Sequence, residues 1–81
     1  MPYKSLLEEV RQEVLKYLDN PVDDDAPLEE LLLSDDISAI ILSLEQKLAV
    51  KPERSIYISA SSISDLAWIF DREITKAHRL G

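Results

Sequence analysis

The chain has no cysteine and almost no glycine, and each absence excludes a class of site. Without cysteine, its 81 residues form no disulfide framework, cysteine zinc site or thiol nucleophile. The only glycine is Gly81, which excludes glycine-rich phosphate loops and dinucleotide fingerprints. No apolar run approaches the length of a membrane span, and the N-terminus has no apolar signal core. These absences suit a cytoplasmic protein without a membrane partner, which is what we expect.

Basic residues are scarce as well. Nine lysines and arginines stand against sixteen aspartates and glutamates, which gives a net charge of −7. Such a chain repels nucleic acid phosphates, so we expect no nucleic acid partner. The same charge favours encounters with basic protein surfaces. The length predicts one domain over residues 1–81, near the lower limit for folding without staples, and we expect a monomer.

The first predicted helix runs from about Lys4 to Leu18 and leads into a long acidic connection. Its apolar residues recur at helical spacing, and Asn20-Pro21 ends it because proline cannot continue a helix. Residues 19–30 contain Asp23-Asp24-Asp25, which lack the alternating ligands, glycine and distal glutamate of a calcium loop. We interpret them as a solvated acidic loop. The predicted buried stripe of this helix is Tyr3, Leu7, Val10, Val14, Tyr17 and Leu18, and Val22 and Leu28 are expected to hold the loop to the core.

The second predicted helix is the most apolar and begins at Ser34. A serine at a helix start is usually an N-cap, whose oxygen accepts a backbone N–H, and it is also an exposed hydroxyl to which a group can be attached. The helix is expected to end near Lys51-Pro52. Its predicted buried face comprises Ile37, Ile40, Ile41, Leu44 and Leu48.

Residues 52–60 are predicted to be irregular, with one helical turn and with Ile56 and Ile58 in the core. Ser62-Ile63-Ser64-Asp65 is a capping-box arrangement that opens the last helix, on which Trp68 lies off the buried stripe. That stripe comprises Ile63, Leu66, Ala67, Phe70, Ile74 and Ala77. The sequence therefore predicts an all-α fold: a small antiparallel bundle of three main helices plus a short helical turn, with a long first loop.

Three stretches, in this order along the chain, resemble the acyl carrier protein family, including the carrier domains of polyketide and peptide synthases. They are Pro27-Leu28-Glu29-Glu30-Leu31, Leu42-Ser43-Leu44-Glu45-Gln46-Lys47-Leu48 and Ile58-Ser59-Ala60-Ser61-Ser62-Ile63-Ser64-Asp65-Leu66. The resemblance implies a four-helix bundle acting in fatty acid or polyketide biosynthesis. It also implies a serine that carries 4′-phosphopantetheine as a phosphodiester, with an acyl group on the terminal thiol as a thioester.

The resemblance places the attachment serine in one of two registers. Counting backward from Glu45 puts Ser34 under the family's modified serine, whereas counting forward from Leu31 puts Asp35 there. We prefer the backward count, because a one-residue change inside the helix would rotate its apolar face by about 100°. The family has Asp-Ser-Leu after a leucine-glycine pair; here Leu33 precedes Ser34 and Asp35 follows it.

Two functions follow as hypotheses. The first is a carrier modified at Ser34 by a phosphopantetheinyl transferase, whose acyl-processing partners have basic docking surfaces. Under the resemblance, the candidate docking residues are Asp35, Asp36, Leu42 and Glu45; the alternative for the acidic ones is solvation at a helix end. The second hypothesis is a non-carrying protein-protein interaction module on the same fold. We expect no enzyme and no metal site, because no acid, base or nucleophile constellation can be assembled and His78 is the only histidine.

Overall fold

The computed structural model describes residues 3–80, with side chains described for residues 3–77. This part of the chain contains helices and no strand, which confirms the predicted all-α class of three main helices plus a short helical turn. No helix within it is both long and apolar enough to cross a membrane. The elements are α1 (Tyr3–Leu15), α2 (Leu28–Leu31), α3 (Ser34–Leu48), a 3₁₀ helix (Arg54–Ser59) and α4 (Ile63–Leu80).

One apolar core holds the helices together. Helix α1 packs against both α3 and α4, the 3₁₀ helix lies on α4, and α2 lies against α3. Each long helix contributes residues spaced three or four apart, which is the spacing of a single buried helical face. The buried cluster comprises Leu6, Val10, Val14, Leu28, Leu32, Ile40, Leu44, Ile63, Leu66, Ala67 and Phe70.

Helix α1 is shorter than expected and is rotated slightly relative to the predicted stripe. It ends at Leu15, not Leu18, and a turn follows in which the Tyr17 N–H donates to the carbonyl of Val14 at 3.0 Å. Leu6 is fully buried, whereas the predicted Tyr3 and Tyr17 are exposed. Leu6 lies one helical turn before Val10, so it extends the buried line of Val10 and Val14 on α1.

The acidic connection between α1 and α2 is held to both α1 and the start of α4 by hydrogen bonds to Asp24. The interpretation of this segment as a solvated loop is therefore wrong for Asp24. The Asp24 carboxylate accepts hydrogen bonds from Arg11 Nε at 3.1 Å and Arg11 Nη2 at 2.8 Å. Its carbonyl accepts from the Ser64 N–H at 3.0 Å, which joins the loop to the start of α4. Asp23 and Asp25 are exposed, as expected.

Helix α2 lies inside the predicted loop and was not expected. It is a single turn, too short to show a helical period in the sequence. Leu28 holds it to the core as predicted: the side chain is buried, and its N–H donates to the carbonyl of Ser61 at 2.8 Å. Val22 also packs against the core, partly buried.

Helix α3 ends a few residues before Lys51-Pro52, where Pro52 led us to expect its end. Its last residue is Leu48, and Ala49 follows in the left-handed conformation with φ of 56°. Glycine is the usual residue at such a helix end, so alanine takes this position at a modest cost in a chain with no internal glycine.

The segment before α4 differs from expectation in its core residues. Ile58 is 86% exposed, so its assignment to the core is wrong. Tyr57 takes that place and packs against the core, because the 3₁₀ helix turns successive side chains by about 120° and does not alternate them. Ile56 is half-buried.

The start of α4 confirms the predicted capping arrangement. The Asp65 N–H donates to Ser62 Oγ at 3.2 Å, and the Asp65 carboxylate accepts from the Ser61 N–H at 2.9 Å. These hydrogen bonds lower the pKa of Asp65, with the Ser61 backbone N–H as the largest cause. Farther along α4, the predicted core residue Ala77 is exposed, while Ile69 is buried without having been predicted.

A buried carboxylate joins α1 to α3. Glu13 is only 2% exposed and accepts hydrogen bonds from Lys16 Nζ at 3.0 Å and Ser43 Oγ at 3.2 Å, with Lys47 as a further ion-pair partner. A buried charge is tolerated when it is paired and hydrogen-bonded in this way. The hydrogen bond from Lys47 is the largest cause that lowers the pKa of Glu13, against the opposing effect of burial.

Leu44→Ala is expected to destabilise the fold by about 2–5 kcal/mol, through lost burial and the cavity left behind. Leu44 is fully buried, whereas Leu42 on the same helix is 56% exposed and provides the matched control. Leu42→Ala should change the free energy of unfolding by no more than about 0.5 kcal/mol. Urea denaturation measures both, and equal effects would show that α3 has a different face in the core.

Glu13→Gln is expected to lower stability at neutral pH and to reduce its loss on acidification. Because folding lowers the pKa of Glu13, its contribution is complete above the ordinary value of 4.5 and is lost as the pH falls below it. Urea midpoints at about pH 7 and about pH 3.5 should therefore differ less in this variant than in the native chain. Glu29→Gln, at an exposed position of α2, should retain the native difference.

Candidate functional site

Ser34 is the first helical residue of α3, so the alternative interpretation of this serine as the N-cap does not hold. Leu33 is the N-cap, with φ of −73° and ψ of 154°, and it makes no side-chain cap. The Ile37 N–H donates to the Leu33 carbonyl at 3.1 Å, which is the first hydrogen bond of the helix. Ser34 is exposed, and among the side chains of residues 3–77 its hydroxyl makes no hydrogen bond. The hydroxyl is therefore accessible from solvent.

The start of α3 favours negative charge. Its first backbone N–H groups have no helical partner, and the helix dipole adds partial positive charge there. Asp35 and Asp36 lie in this first turn. Asp35 is exposed and Asp36 is half-buried, so solvent screens the first more than the second.

Most of the candidate docking residues share a side of α3 with Ser34. Successive helical residues turn by about 100°, so Glu45 projects within about 20° of Ser34, and Asp35 and Leu42 within about 100°. Leu42 is 56% exposed, as predicted from its position off the apolar face. Asp36 projects about 160° from Ser34 and does not belong to this group.

A groove of about 690 Å³ runs between α3 and the 3₁₀ helix on the same side as Ser34. Its α3 wall starts at Ser38, which projects within about 40° of Ser34. The residues that line it are Ser38, Ile41, Leu42, Glu45, Lys51, Pro52, Arg54 and Tyr57. We call this space the α3 groove.

A smaller, mostly apolar cavity of about 210 Å³ is lined by residues of α2, α3, the 3₁₀ helix and the start of α4. Ile37, one turn from Ser34, lines it together with Leu28, Glu29, Ile41, Tyr57, Ile58, Ala60, Ser61 and Leu66. Ile41 and Tyr57 line both spaces, so they form the partition between this cavity and the α3 groove.

Glu45 is held within the fold and is only half-exposed to partners. Its carboxylate accepts a hydrogen bond from Tyr57 Oη at 2.9 Å. The Tyr57 ring lies 6.1 Å from that of Phe70, centroid to centroid. Burial, followed by the hydrogen bond to Glu45, raises the pKa of Tyr57 above its ordinary range. Tyr57 is not among the site residues predicted from the sequence, although an aromatic residue between Ile56 and Ile58 was the available signal.

Trp68 lies outside the core, as predicted, and is 53% exposed. The Arg72 guanidinium lies over its ring, 4.9 Å from the centroid, in a cation–π contact one helical turn along α4. The described residues contain no cluster of three or more metal-ligating side chains. The side chain of His78 lies outside the described residues.

Tyr57→Phe is expected to reduce the loss of stability at alkaline pH. Folding raises the pKa of Tyr57, so its contribution is complete below the ordinary value of 10.0 and is lost as the pH rises above it. Urea midpoints at about pH 8 and about pH 11 should differ less in Tyr57→Phe than in the native chain. Tyr17→Phe removes an exposed phenol as a control, and an equal effect of both variants would contradict the role of Tyr57.

Comparison with known proteins identifies no relative of this chain. No family model, curated protein or solved structure matches it. The function is therefore inferred from the residues of the chain and from the geometry of the site.

Proposed function

We propose that this protein is an acyl-carrier-like module, in which 4′-phosphopantetheine on Ser34 holds an acyl group as a thioester and presents it to partner enzymes. The observation that carries the proposal is the exposed, unengaged hydroxyl of Ser34 on the first turn of α3. The order of the helices and the long connection after α1 agree with what the resemblance to acyl carrier proteins implies.

The register of α3 supports Ser34 over Asp35 as the attachment position. Ile40 is 1% exposed and Leu44 is fully buried, which is the apolar face assumed when the alignment is counted backward from Glu45. A phosphodiester also requires a hydroxyl, which aspartate lacks. Ser38 has an exposed hydroxyl too, but it lies one turn inside α3, where its backbone is part of the helix.

The proposed modification is a transfer from coenzyme A. The Ser34 oxygen attacks the phosphorus bonded to pantetheine, and a new O–P bond forms while the pyrophosphate P–O bond breaks. Adenosine 3′,5′-bisphosphate leaves with the bonding electrons, and the serine proton passes to a base of the transferase. The phosphodiester adds one negative charge at the N-terminal end of α3, where the helix dipole is favourable.

The proposed partners are the transferase and acyl-processing enzymes with basic docking surfaces. Asp35 and Leu42 are both exposed and project within about 100° of Ser34 around α3. Asp35 supplies negative charge to a partner, and Leu42 supplies an apolar contact. The net charge of −7 speeds encounter with such surfaces. We propose the cytoplasm as the location, because the pantetheine thiol must remain reduced.

A second candidate function is a protein-protein interaction module that carries no prosthetic group. The observation that favours it is a set of three exposed apolar side chains, one directly before Ser34, one on α3 and one on the 3₁₀ helix. Leu33 is 74% exposed, Leu42 56% and Ile58 86%. An apolar contact surface of this kind can bind a partner without any covalent cargo.

Incubation with coenzyme A and a broad-specificity phosphopantetheinyl transferase is expected to add one phosphopantetheine group to the native chain. Intact-protein mass spectrometry should detect the addition in Ser38→Ala and not in Ser34→Ala. The addition should be slower than on an ordinary carrier, because Leu33 and Asp35 replace the family's aspartate and leucine beside the serine. Failure of the native chain to react, under conditions that convert an ordinary carrier, would favour the interaction module. Modification of Ser34→Ala would place the site elsewhere.

A further inference from the structure

The α3 groove displays two basic side chains without an acidic partner. Lys51 and Arg54 line it, both are exposed, and neither forms an ion pair with a side chain of residues 3–77. Five other cations are engaged, in ion pairs or over an aromatic ring: Arg11, Lys16, Lys47, Lys76 and Arg72. Lys4 forms no ion pair with a described side chain either, but it lies on α1 and does not line the groove. In a chain of charge −7, this groove is a local site of available positive charge.

The groove extends from the direction in which the Ser34 hydroxyl projects. Ser38, Ile41 and Glu45 project within about 40° of Ser34, so they follow one line along α3. Measured along the helix axis, Ser38 lies about 6 Å beyond Ser34 and Glu45 about 16 Å beyond it. An arm attached at Ser34 and laid along this line enters the groove within one helical turn.

The lining changes in character along that path. Ile41, Leu42 and Pro52 supply apolar surface, whereas Lys51 and Arg54 supply charge. Glu45 also lines the groove, but the Tyr57 hydroxyl already occupies one of its carboxylate oxygens at 2.9 Å. Because two cations and one carboxylate line the groove, its net charge is positive. A complementary ligand therefore has an apolar middle, which contacts the apolar side chains, and an anionic end, which contacts the two cations.

We propose that the α3 groove selects acyl groups whose free end carries a carboxylate, bound by Lys51 and Arg54. The inference rests on the proposed attachment at Ser34, because the arm brings the acyl group to the groove. The arm itself spans Ile41 and Leu42, which lie about 10–12 Å beyond Ser34 along the helix axis, so the acyl group at its end reaches Lys51 and Arg54. Its carboxylate accepts hydrogen bonds from the Arg54 guanidinium, whose planar fork matches a carboxylate. An acyl group ending in methyl gains the apolar contacts alone.

The absence of cysteine allows a test that does not need the transferase. Ser34→Cys introduces the only thiol of the chain, which can be alkylated with an iodoacetamide-linked alkyl arm ending in a ¹³C-labelled carboxylate. Carbon NMR then gives the pKa of that carboxylate on the folded protein. Pairing with Lys51 and Arg54 should hold this pKa about half a unit lower than in Lys51→Gln/Arg54→Gln, a roughly threefold change in acid dissociation.

A charge-matched pair of substitutions separates the groove from the general field of the protein. Lys4→Gln/Arg72→Gln also removes two exposed cations, away from the α3 groove, and should leave the carboxylate pKa at its value on Ser34→Cys alone. Because all four side chains are exposed, each pair should retain the fold, which circular dichroism checks. The lowering at the groove should weaken in high salt.

Equal pKa values in the two pairs would overturn the proposal. So would unchanged backbone amide shifts at Lys51 and Arg54 when the arm is attached, because the groove would then be empty and open to a partner's acidic segment. Neither result depends on enzymatic modification of Ser34. Failure of the transferase reaction on the native chain would instead contradict the proposed carrier function.

Discussion

The rotational setting of α3 is the constraint on which the site depends. Ile40 and Leu44 are buried in the core cluster, and turning α3 by one residue would swing them about 100° toward solvent. The transfer free energy lost in that rotation is several kcal/mol, comparable with the whole stability of a small domain. The direction of the Ser34 hydroxyl, the exposure of Leu42 and the α3 wall of the groove all follow from this setting.

The buried Glu13 adds a polar constraint to the same interface. Its carboxylate contacts Ser43 and Lys47 on α3 and Lys16 just after the end of α1, so a shift of one helix past the other would leave a buried charge without its two partners on α3. Such a loss is far more destabilising than the intact arrangement is stabilising. Lys16 and Lys47 are thereby committed to the α1–α3 interface, while Lys51 and Arg54 remain available in the groove.

The predictable part of the fold is the part governed by helical periodicity. The three long helices, the core positions Ile40 and Leu44 and the Ser62–Asp65 cap depend on residues within a few turns of each other, and the sequence displays them directly. Burial of Glu13 depends on Ser43, which lies 30 positions away, and that of Tyr57 on Glu45 and Phe70. No local pattern encodes such contacts, so the stretch around Tyr57 was interpreted as alternating isoleucines and Ile58 was wrongly assigned to the core.

The residues of the candidate site also differ in whether helical periodicity predicts their positions. Ser34 and Leu42 could be placed from the apolar period of α3, whereas the cap residue Leu33 and the tie between Glu45 and Tyr57 required the three-dimensional structure. The most direct test of the carrier account is intact-protein mass spectrometry, with fragment assignment, of the protein purified from its native host. The account predicts one phosphopantetheine group, or its acylated form, on Ser34. A uniformly unmodified mass, or the group on another residue, would contradict it.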